Sequence, residues 1–392
     1  MPQPIDRVVF IVLDSVGIGA LPDAGDYHDV GAATLPHIAE ACGGLRLPTL
    51  ERFGLGNIVS LTGVSPVSRP LASWGRMREL SRGKDTIAGH WEFMGIVLDR
   101  PFALFPAGFP PVIIDEFLAL TGLPGVLGNV PASGTEIIAR LGEEHLRSGW
   151  PIVYTSGDSV FQIAASEEVI PLKRLYEICE TARGMCDRHA IGRVIARPFI
   201  GHPGGFVRTA NRRDYPMKPP APTVLDHLAR AGVTVSALGK IENIYAGQGI
   251  TRSRHTKSNA DGMCQLREEL AATRNGLIFI NLVDFDMLYG HRNDAAGYGR
   301  ALEEFDTGLD GLIPVLGPGD LLIVSADHGC DPTFPGTDHT REYVPLLAYR
   351  PGVPGVPLGC RQGFGDIGAT IAAALGHPVT GPFSSFLPQI QA

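Results

Sequence analysis

LIFINLVDFDMLYGH, residues 277–291, begins as an apolar run broken only by Asn281, then delivers Asp284, Asp286 and His291. A short run dominated by Leu, Ile, Phe and Val predicts a strand buried on both faces, as inside a parallel sheet. Four other runs read the same way: VVFIVL (8–13), TVSALG (234–239), LLIVSA (321–326) and PLLAY (345–349). Stretches of helical character lie between them, such as GYGRALEEFDTGLDGLIPVL (297–316) and DIGATIAAALG (366–376). Strand and helix alternating in this way predict a doubly wound α/β sheet built of parallel strands.

The middle of the chain differs. Residues 100–217 are rich in Pro and Gly, as in RPFALFPAGFPP (100–111) and RPFIGHPGGFVRTANRRDYP (197–216). They carry their own strand candidates, WPIVYTS (150–156) and GRVIARPFI (192–200), and a helix candidate, PLKRLYEICETARGMCDRH (171–189). This reads as a smaller α+β module inserted into a core formed by 1–99 and 218–392, since a surface loop tolerates an inserted domain. A chain of 392 residues fits two such units, and 44% hydrophobic residues can bury a sizeable core. The formal charge of −8 argues against a general nucleic-acid binder, whose footprint is basic. No apolar run approaches the roughly 20 residues that span a bilayer, and no signal-peptide pattern precedes the first strand. Six cysteines without a Cys-x-x-Cys pair read as reduced core thiols of a cytoplasmic protein.

Three apolar strands end in the same way. FIVLD ends at Asp14, the opening stretch runs through Asp286 to His291, and LIVSADHG ends at Asp327 and His328. GTDHTREYVPLL places Asp338 and His339 just before the last strand. Ligands of open α/β sheets bind at the carboxyl ends of the strands, so these residues converge on one site. Singly, each has a bland reading, an Asp as a turn or cap residue and a His as a satisfied polar group. Asp14, Asp286, Asp327, His291, His328 and His339 bring three carboxylates and three imidazoles together, and bare carboxylates in that number would repel and raise one another's pKa unless cations sit among them. Mixed carboxylate and imidazole donors suit Mn²⁺ or Zn²⁺, with carboxylate-rich sites leaning to Mn²⁺. Two such ions about 4 Å apart form a clamp for phosphoryl displacement.

GKDTIAGHWE (83–92) offers a nucleophile for that clamp, Thr86. A threonine hydroxyl is weak until a base or a metal activates it. The competing structural reading makes Thr86 the N-cap of a following helix. His90 and Trp91 read as packing around it. GKDT is not a phosphate loop, because Asp85 stands where Ser or Thr should follow the lysine and Arg78 stands where the first glycine should be. GIGALP (17–22) is not a dinucleotide fingerprint, because Pro22 replaces the third glycine.

These residues resemble the prokaryotic phosphopentomutase family of the alkaline phosphatase superfamily over essentially the whole chain. VLDSVGIGALPDA, GKDTIAGHWEFMG, YTSGDSVFQIAA, GRVIARPFIG, LVDFDMLYGHRND, SADHGCDPT and PGTDHTREYVPLL carry the resemblance. It implies two Mn²⁺ ions, one held by Asp286, His291 and His339, the other by Asp14, Asp327 and His328 and touching Thr86. It implies interconversion of α-D-ribose 1-phosphate and D-ribose 5-phosphate, and of the 2-deoxyribose pair. The route is a phosphorylated Thr86 and a pentose 1,5-bisphosphate, primed by a sugar bisphosphate such as glucose 1,6-bisphosphate. It also implies a monomer whose partners are small pentose phosphates, with no nucleic acid and no membrane.

The phosphate that does not react needs a cationic holder, bidentate for preference. Arg193 and Arg208 of the inserted module are expected to supply it. Ser156 and Asp158 are expected on the sugar hydroxyls, and Lys240 on phosphate from the core. The module is expected to close and exclude water, which would otherwise turn a mutase into a phosphatase. A metal-dependent phosphatase or phosphodiesterase of the same fold is the alternative. A phosphoglycerate mutase with a serine nucleophile and a non-catalytic metal-binding protein fit less well.

Overall fold

A computed structural model describes residues 4–156 and 159–391. The chain divides into two compact units, one running up to Arg100 and resuming at Pro219, the other Pro101–Lys218. The first unit contributes β1 (Arg7–Leu13) and β2 (Ala72–Met77). The second contributes β3 (Leu127–Pro131), β4 (Ile152–Thr155), β5 (Val160–Ser166), β6 (Arg193–Ile200), β7 (Val207–Arg208) and β8 (Arg213–Pro216). The first unit resumes with β9 (Val235–Leu238), β10 (Arg252–Arg254), β11 (Gly276–Leu282), β12 (Asp320–Ser325), β13 (Val344–Tyr349) and β14 (Pro357–Arg361).

The first unit is an α/β sheet in the order β10-β9-β11-β1-β12-β13-β2-β14. Its centre is a parallel block: β9, β11, β1 and β12 run the same way. Every residue of β1, β11 and β12 is buried, which explains why these strands read as continuous apolar runs. The register pairs Leu13 with Leu282 and Val12 with Ser325. Asp14, Asp284, Asp286 and Asp327 therefore leave the sheet at the shared carboxyl end of these parallel strands.

One strand departs from the expected direction. PLLAY lies in β13, which pairs antiparallel with both β12 and β2. A parallel return needs a crossover element, and the segment between β12 and β13 contains no helix. That antiparallel return has a consequence for the site. The connection leaves β12 and enters β13 at the same end of the strands, so His339 stays at the end where His328 lies. Strands β2 and β14 were not legible as apolar runs. β2 mixes Trp74 and Arg76 with small residues, and β14 is an edge strand that is mostly exposed.

The second unit has a six-stranded sheet in the order β3-β4-β5-β6-β7, with β8 also pairing with β6. Helices Pro111–Thr121 and Leu172–Arg188 cover one face, packing Phe117, Leu175 and Cys179 against Phe161, Ile163 and Val194. Helix Gly134–Ser148 packs Ile137 and Ile138 on the other face, against Ile152, Tyr154 and Phe199. β5 and β6 alternate accordingly, since successive side chains point to opposite faces. No cysteine forms a disulfide, but only Cys179, Cys186 and Cys330 are core thiols; Cys42, Cys264 and Cys360 are exposed. Among the described residues no helix is long and apolar enough to cross a membrane.

Candidate active site

Thr86 opens helix Thr86–Phe93 and is not its cap. The cap is Asp85, whose carboxylate accepts from the N–H groups of Ile87 at 3.0 Å and Ala88 at 3.1 Å. Asp85 has an acceptor-only, charged side chain suited to the N-terminal N–H groups, so it takes the capping place and leaves the Thr86 hydroxyl for other partners. Thr86 Oγ1 lies 3.2 Å from His328 Nε2 and 3.5 Å from Asp14 Oδ1. Gly89, one turn on, lets this helix touch the strand end beside it. A methyl group there would sit 2.3 Å from the carbonyl oxygen of Asp327.

Asp14, Asp327 and His328 are buried and offer one ligand atom each within 4.8 Å of one another. His328 Nε2 is 3.4 Å from both Asp14 Oδ1 and Asp327 Oδ2. His328 Nδ1 lies 3.0 Å from the Gly329 carbonyl oxygen, which places a proton on Nδ1 and turns Nε2 toward the carboxylates. A second group gathers around Asp286. Its Oδ2 is 3.2 Å from His291 Nε2 and its Oδ1 is 3.2 Å from His339 Nε2. His291 is oriented in the same manner, its Nδ1 lying 2.6 Å from the Thr337 carbonyl oxygen. His291 Nε2 and His339 Nε2 are 3.1 Å apart, and the His328 and His339 rings are 4.0 Å apart between centroids. The six residues thus form one continuous cluster, with Asp286 and His339 reaching His328.

The charges in this cluster strain against each other. Burial and the neighbouring Asp327 push the Asp14 carboxyl up. Burial also opposes ionisation of Asp327, but His328 and His90 outweigh it and hold that carboxyl below its usual range. Asp286 is buried too, yet His339 and His291 hold it well below that range. The Asp286 carboxylate and the Cys330 thiol push His291 up to about 11. With His291 raised in this way, a cation taking its Nε2 would displace a proton.

The fit to divalent cations rests on orphaned atoms. Asp286 Oδ1 and Asp327 Oδ2 are buried without a hydrogen-bond partner among the described residues. Asp327 Oδ2 does come within 3.0 Å of His90 Nδ1, but the geometry is that of a close charge pair and not of an aligned hydrogen bond. His291 Nε2 and His339 Nε2, 3.1 Å apart, point at the same space. Carboxylate oxygens and imidazole nitrogens are the donor set of a borderline or hard divalent ion.

Several residues support the cluster from outside it. Asn281, the single polar interruption of β11, approaches Asp14 Oδ2 at 3.5 Å through its amide and accepts from the Lys240 N–H at 2.9 Å. His90 is fully buried, and its Nδ1 lies 2.9 Å from the Thr86 carbonyl oxygen. Lys84 bridges Asp29 at 3.1 Å and Asp338 at 3.3 Å, which accounts for Asp338 outside the cluster. Arg341 is buried and donates to Glu79 Oε2 at 2.6 Å, Ser81 O at 2.8 Å and Gly83 O at 2.7 Å. It clamps the segment leading to Thr86 onto the strand that follows His339. Asp284 is no member of the cluster; its carboxylate accepts from the Asn259 N–H at 2.6 Å.

The expected substrate contacts are dispersed. Lys240 is exposed, with Nζ 3.9 Å from Met287 Sδ, one residue past Asp286. In the second unit Arg193 and Ser156 line one cavity and Arg208 lines another. Asp158 lies outside the described residues.

The sequence matches the metalloenzyme superfamily over residues 6–379. It is 57% identical over 390 residues to a phosphopentomutase of Symbiobacterium thermophilum, covering 99% of each chain. It is 58% identical over 370 residues to a phosphopentomutase of Caldanaerobacter subterraneus subsp. tengcongensis, covering 94% of each. Among solved structures it resembles a protein of Pyrococcus horikoshii with a TM-score of 0.52 at 12% identity, covering 97% of this chain and 100% of that one. That likeness concerns the fold alone.

Proposed function

The chain belongs to the phosphopentomutase family, and from this premise we propose that it interconverts α-D-ribose 1-phosphate and D-ribose 5-phosphate, and the 2-deoxyribose pair, through a phosphorylated Thr86. It is an isomerase that moves a phosphoryl group within a pentose phosphate. The observation that carries the role of Thr86 is its Oγ1 within 3.5 Å of Asp14 and His328, at the edge of the six-residue cluster.

Asp14, Asp327 and His328 hold one divalent cation and Asp286, His291 and His339 the other, with Mn²⁺ the ion the donor set favours. When bound, the pair supplies charge stabilisation to the threonine alkoxide and to the phosphoryl oxygens. The remaining work belongs to the chain. Asp85 caps the helix and Arg341 grips the loop before it, so Thr86 Oγ1 is presented with little freedom. The helix N-terminus beneath Thr86 favours the added phosphate charge. In the first half-reaction the free hydroxyl of the sugar attacks phosphorus, the Thr86 Oγ1–P bond breaks, and a pentose 1,5-bisphosphate forms. In the second, Thr86 Oγ1 takes the other phosphate, and the proton lost by the first sugar hydroxyl is returned to the oxygen set free. A sugar bisphosphate primes Thr86 before the first turnover.

Arg193, Arg208, Ser156, Asp158 and Lys240 serve the substrate, the arginines on the phosphate that is not reacting. The protein acts as a cytoplasmic monomer on small sugar phosphates, without nucleic acid or membrane partners. The test is product analysis by phosphorus NMR. Wild type and Thr86→Ala are incubated with Mn²⁺, α-D-ribose 1-phosphate and a trace of glucose 1,6-bisphosphate. Ribose 5-phosphate forming without free phosphate, and only with wild type, is the expected result. Inorganic phosphate as the main product would make the protein a phosphatase instead.

A further inference from the structure

The three buried cysteines differ in their surroundings. Cys179 and Cys186 lie in the apolar core of the second unit. Cys330 belongs to the first unit, two residues past His328, and is buried. Its backbone is tied down: its N–H reaches Ser15 O at 3.2 Å and Thr34 Oγ1 at 3.1 Å. The preceding Gly329 exchanges two hydrogen bonds with Thr340, of 3.1 and 2.8 Å, which seats Cys330 against the segment that carries His339. Gly290 then lets the turn bearing His291 lie directly on the sulfur, since a methyl group there would stand 2.8 Å from Cys330 Sγ.

The thiol is therefore within hydrogen-bonding reach of the His291 ring, and it also points to the Asp338 carbonyl oxygen at 3.7 Å. Asp286, His291 and Cys330 offer one donor atom each, all within 4.8 Å of one another. No other cysteine joins three such donors among the described residues. An independent observation points to a cation here. Asp286 Oδ1 is buried without a hydrogen-bond partner among the described residues, although an ionised carboxylate out of water needs one.

Asp286 belongs to two sets of donors at once. Its Oδ2 faces His291 and its Oδ1 faces His339, each at 3.2 Å. Taken with His291 and His339, it makes a set of nitrogen and oxygen only. Taken with His291 and Cys330, it makes a set in which sulfur replaces the second nitrogen. Donor type sorts cations between the two. Thiolate is a soft donor that suits Zn²⁺ and its heavier congener Cd²⁺ and adds little for Mn²⁺. One sulfur, one nitrogen, one oxygen and a water make an ordinary tetrahedral zinc environment.

We propose that Asp286, His291 and Cys330 form a thiophilic cation site that takes a soft divalent ion such as Zn²⁺ or Cd²⁺, distinct in its donor set from the Mn²⁺ site of Asp286, His291 and His339. On binding, the sulfur–cation bond forms as the thiol proton leaves to solvent, with no change of oxidation state. His339 stays outside this donor set. A soft ion held by Cys330 therefore competes with Mn²⁺ for Asp286 and His291. The inference goes beyond the pentose-phosphate reading, because the donors are the same whichever phosphoryl transfer the centre performs.

The experiment titrates the metal-free full chain with Co²⁺ and with Cd²⁺, without substrate, and follows the ultraviolet charge-transfer band of a thiolate bonded to either ion. Wild type is expected to develop the band. Cys330→Ser is expected to lose it and to hold Cd²⁺ at this site at least about tenfold more weakly, with its Mn²⁺ affinity unchanged. His339→Asn is expected to do the reverse, weakening Mn²⁺ and keeping the band. Cys264→Ser, at an exposed thiol of helix Asn259–Ala272, is expected to match wild type. A band that survives in Cys330→Ser belongs to another thiol and overturns the proposal. Equal losses of Mn²⁺ and Cd²⁺ affinity in Cys330→Ser also overturn it, because Cys330 then only supports His291. If Cys330→Ser does not fold, cadmium NMR of wild type decides. A sulfur donor moves the cadmium resonance far downfield, and only resonances typical of nitrogen and oxygen donors would refute the site.

Discussion

His90 is the residue whose removal best tests how the nucleophile is positioned. Its ring is fully buried, with its centroid 6.0 Å from those of both Phe93 and Phe279, and its Nδ1 lies 2.9 Å from the Thr86 carbonyl oxygen and 3.0 Å from Asp327 Oδ2. His90→Ala removes one hydrogen bond, worth about 1 kcal/mol, and leaves a cavity costing about 2–4 kcal/mol. At about 2 °C per kcal/mol for a unit of this size, melting should fall by about 6–10 °C. The effect on rate should be separate and larger. Without the imidazole, the first turn of the helix loses its side-chain tie to Asp327, and a 1 Å displacement of a reacting group costs about 100-fold. His90→Asn discriminates, because its side-chain N–H₂ occupies the place of Nδ1 while most of the ring volume is lost. We expect kcat of His90→Ala to drop by about 100-fold and that of His90→Asn by about tenfold or less, with KM nearly unchanged in both. Steady-state kinetics of the metal-loaded enzyme and a thermal melt of each variant decide it. If His90→Ala keeps kcat within twofold, His90 is a packing residue and the positioning argument is wrong.

Thr86→Ser keeps the hydroxyl and should retain most of the mutase rate, whereas Thr86→Ala should lose at least about 1000-fold; both should show wild-type circular dichroism. Gly89→Ala places a methyl 2.3 Å from the Asp327 carbonyl oxygen, so the helix must move off the strand end. It should lower both melting temperature and kcat, while substitution at Gly184, which has open space around its Cα, should leave kcat unchanged. His145 tests the second unit by pH. It is buried and neutral, with Nδ1 2.7 Å from the Trp150 carbonyl oxygen and Nε2 accepting from the Ser166 N–H at 2.8 Å. Burial holds its pKa below the usual 6.5. The unfolded chain therefore takes up a proton first as pH falls, so its contribution is whole above 6.5 and is lost progressively below it. Melting curves of wild type between pH 7.5 and 5 should fall more steeply than those of His145→Gln; parallel curves would refute the assignment.

Much of this protein is written locally. Strands β1, β11 and β12 are legible because a strand buried on both faces must be apolar throughout, and each ends at a carboxylate because the chain there turns from core to site. The helix Leu172–Arg188 is equally plain from its period. Other features depend on residues far apart in the chain. The direction of β13 was misread because an apolar run has no arrow; only its pairing with β12 and β2 supplies one. Asp85 and Thr86 are both reasonable caps, and the choice fell to the neighbours awaiting the free hydroxyl, Asp14 and His328, which come from distant strands. Arg193 and Arg208 look alike in sequence, yet Asp214 reaches the first and the helix start at Gly134 the second. Residue type and spacing determined which groups stand at the strand ends, since periodicity follows from the backbone. Which of those groups meet, and which charges stay uncompensated, was decided by the tertiary structure, because electrostatic and hydrogen-bond energies depend on distances in space that no spacing along the chain encodes.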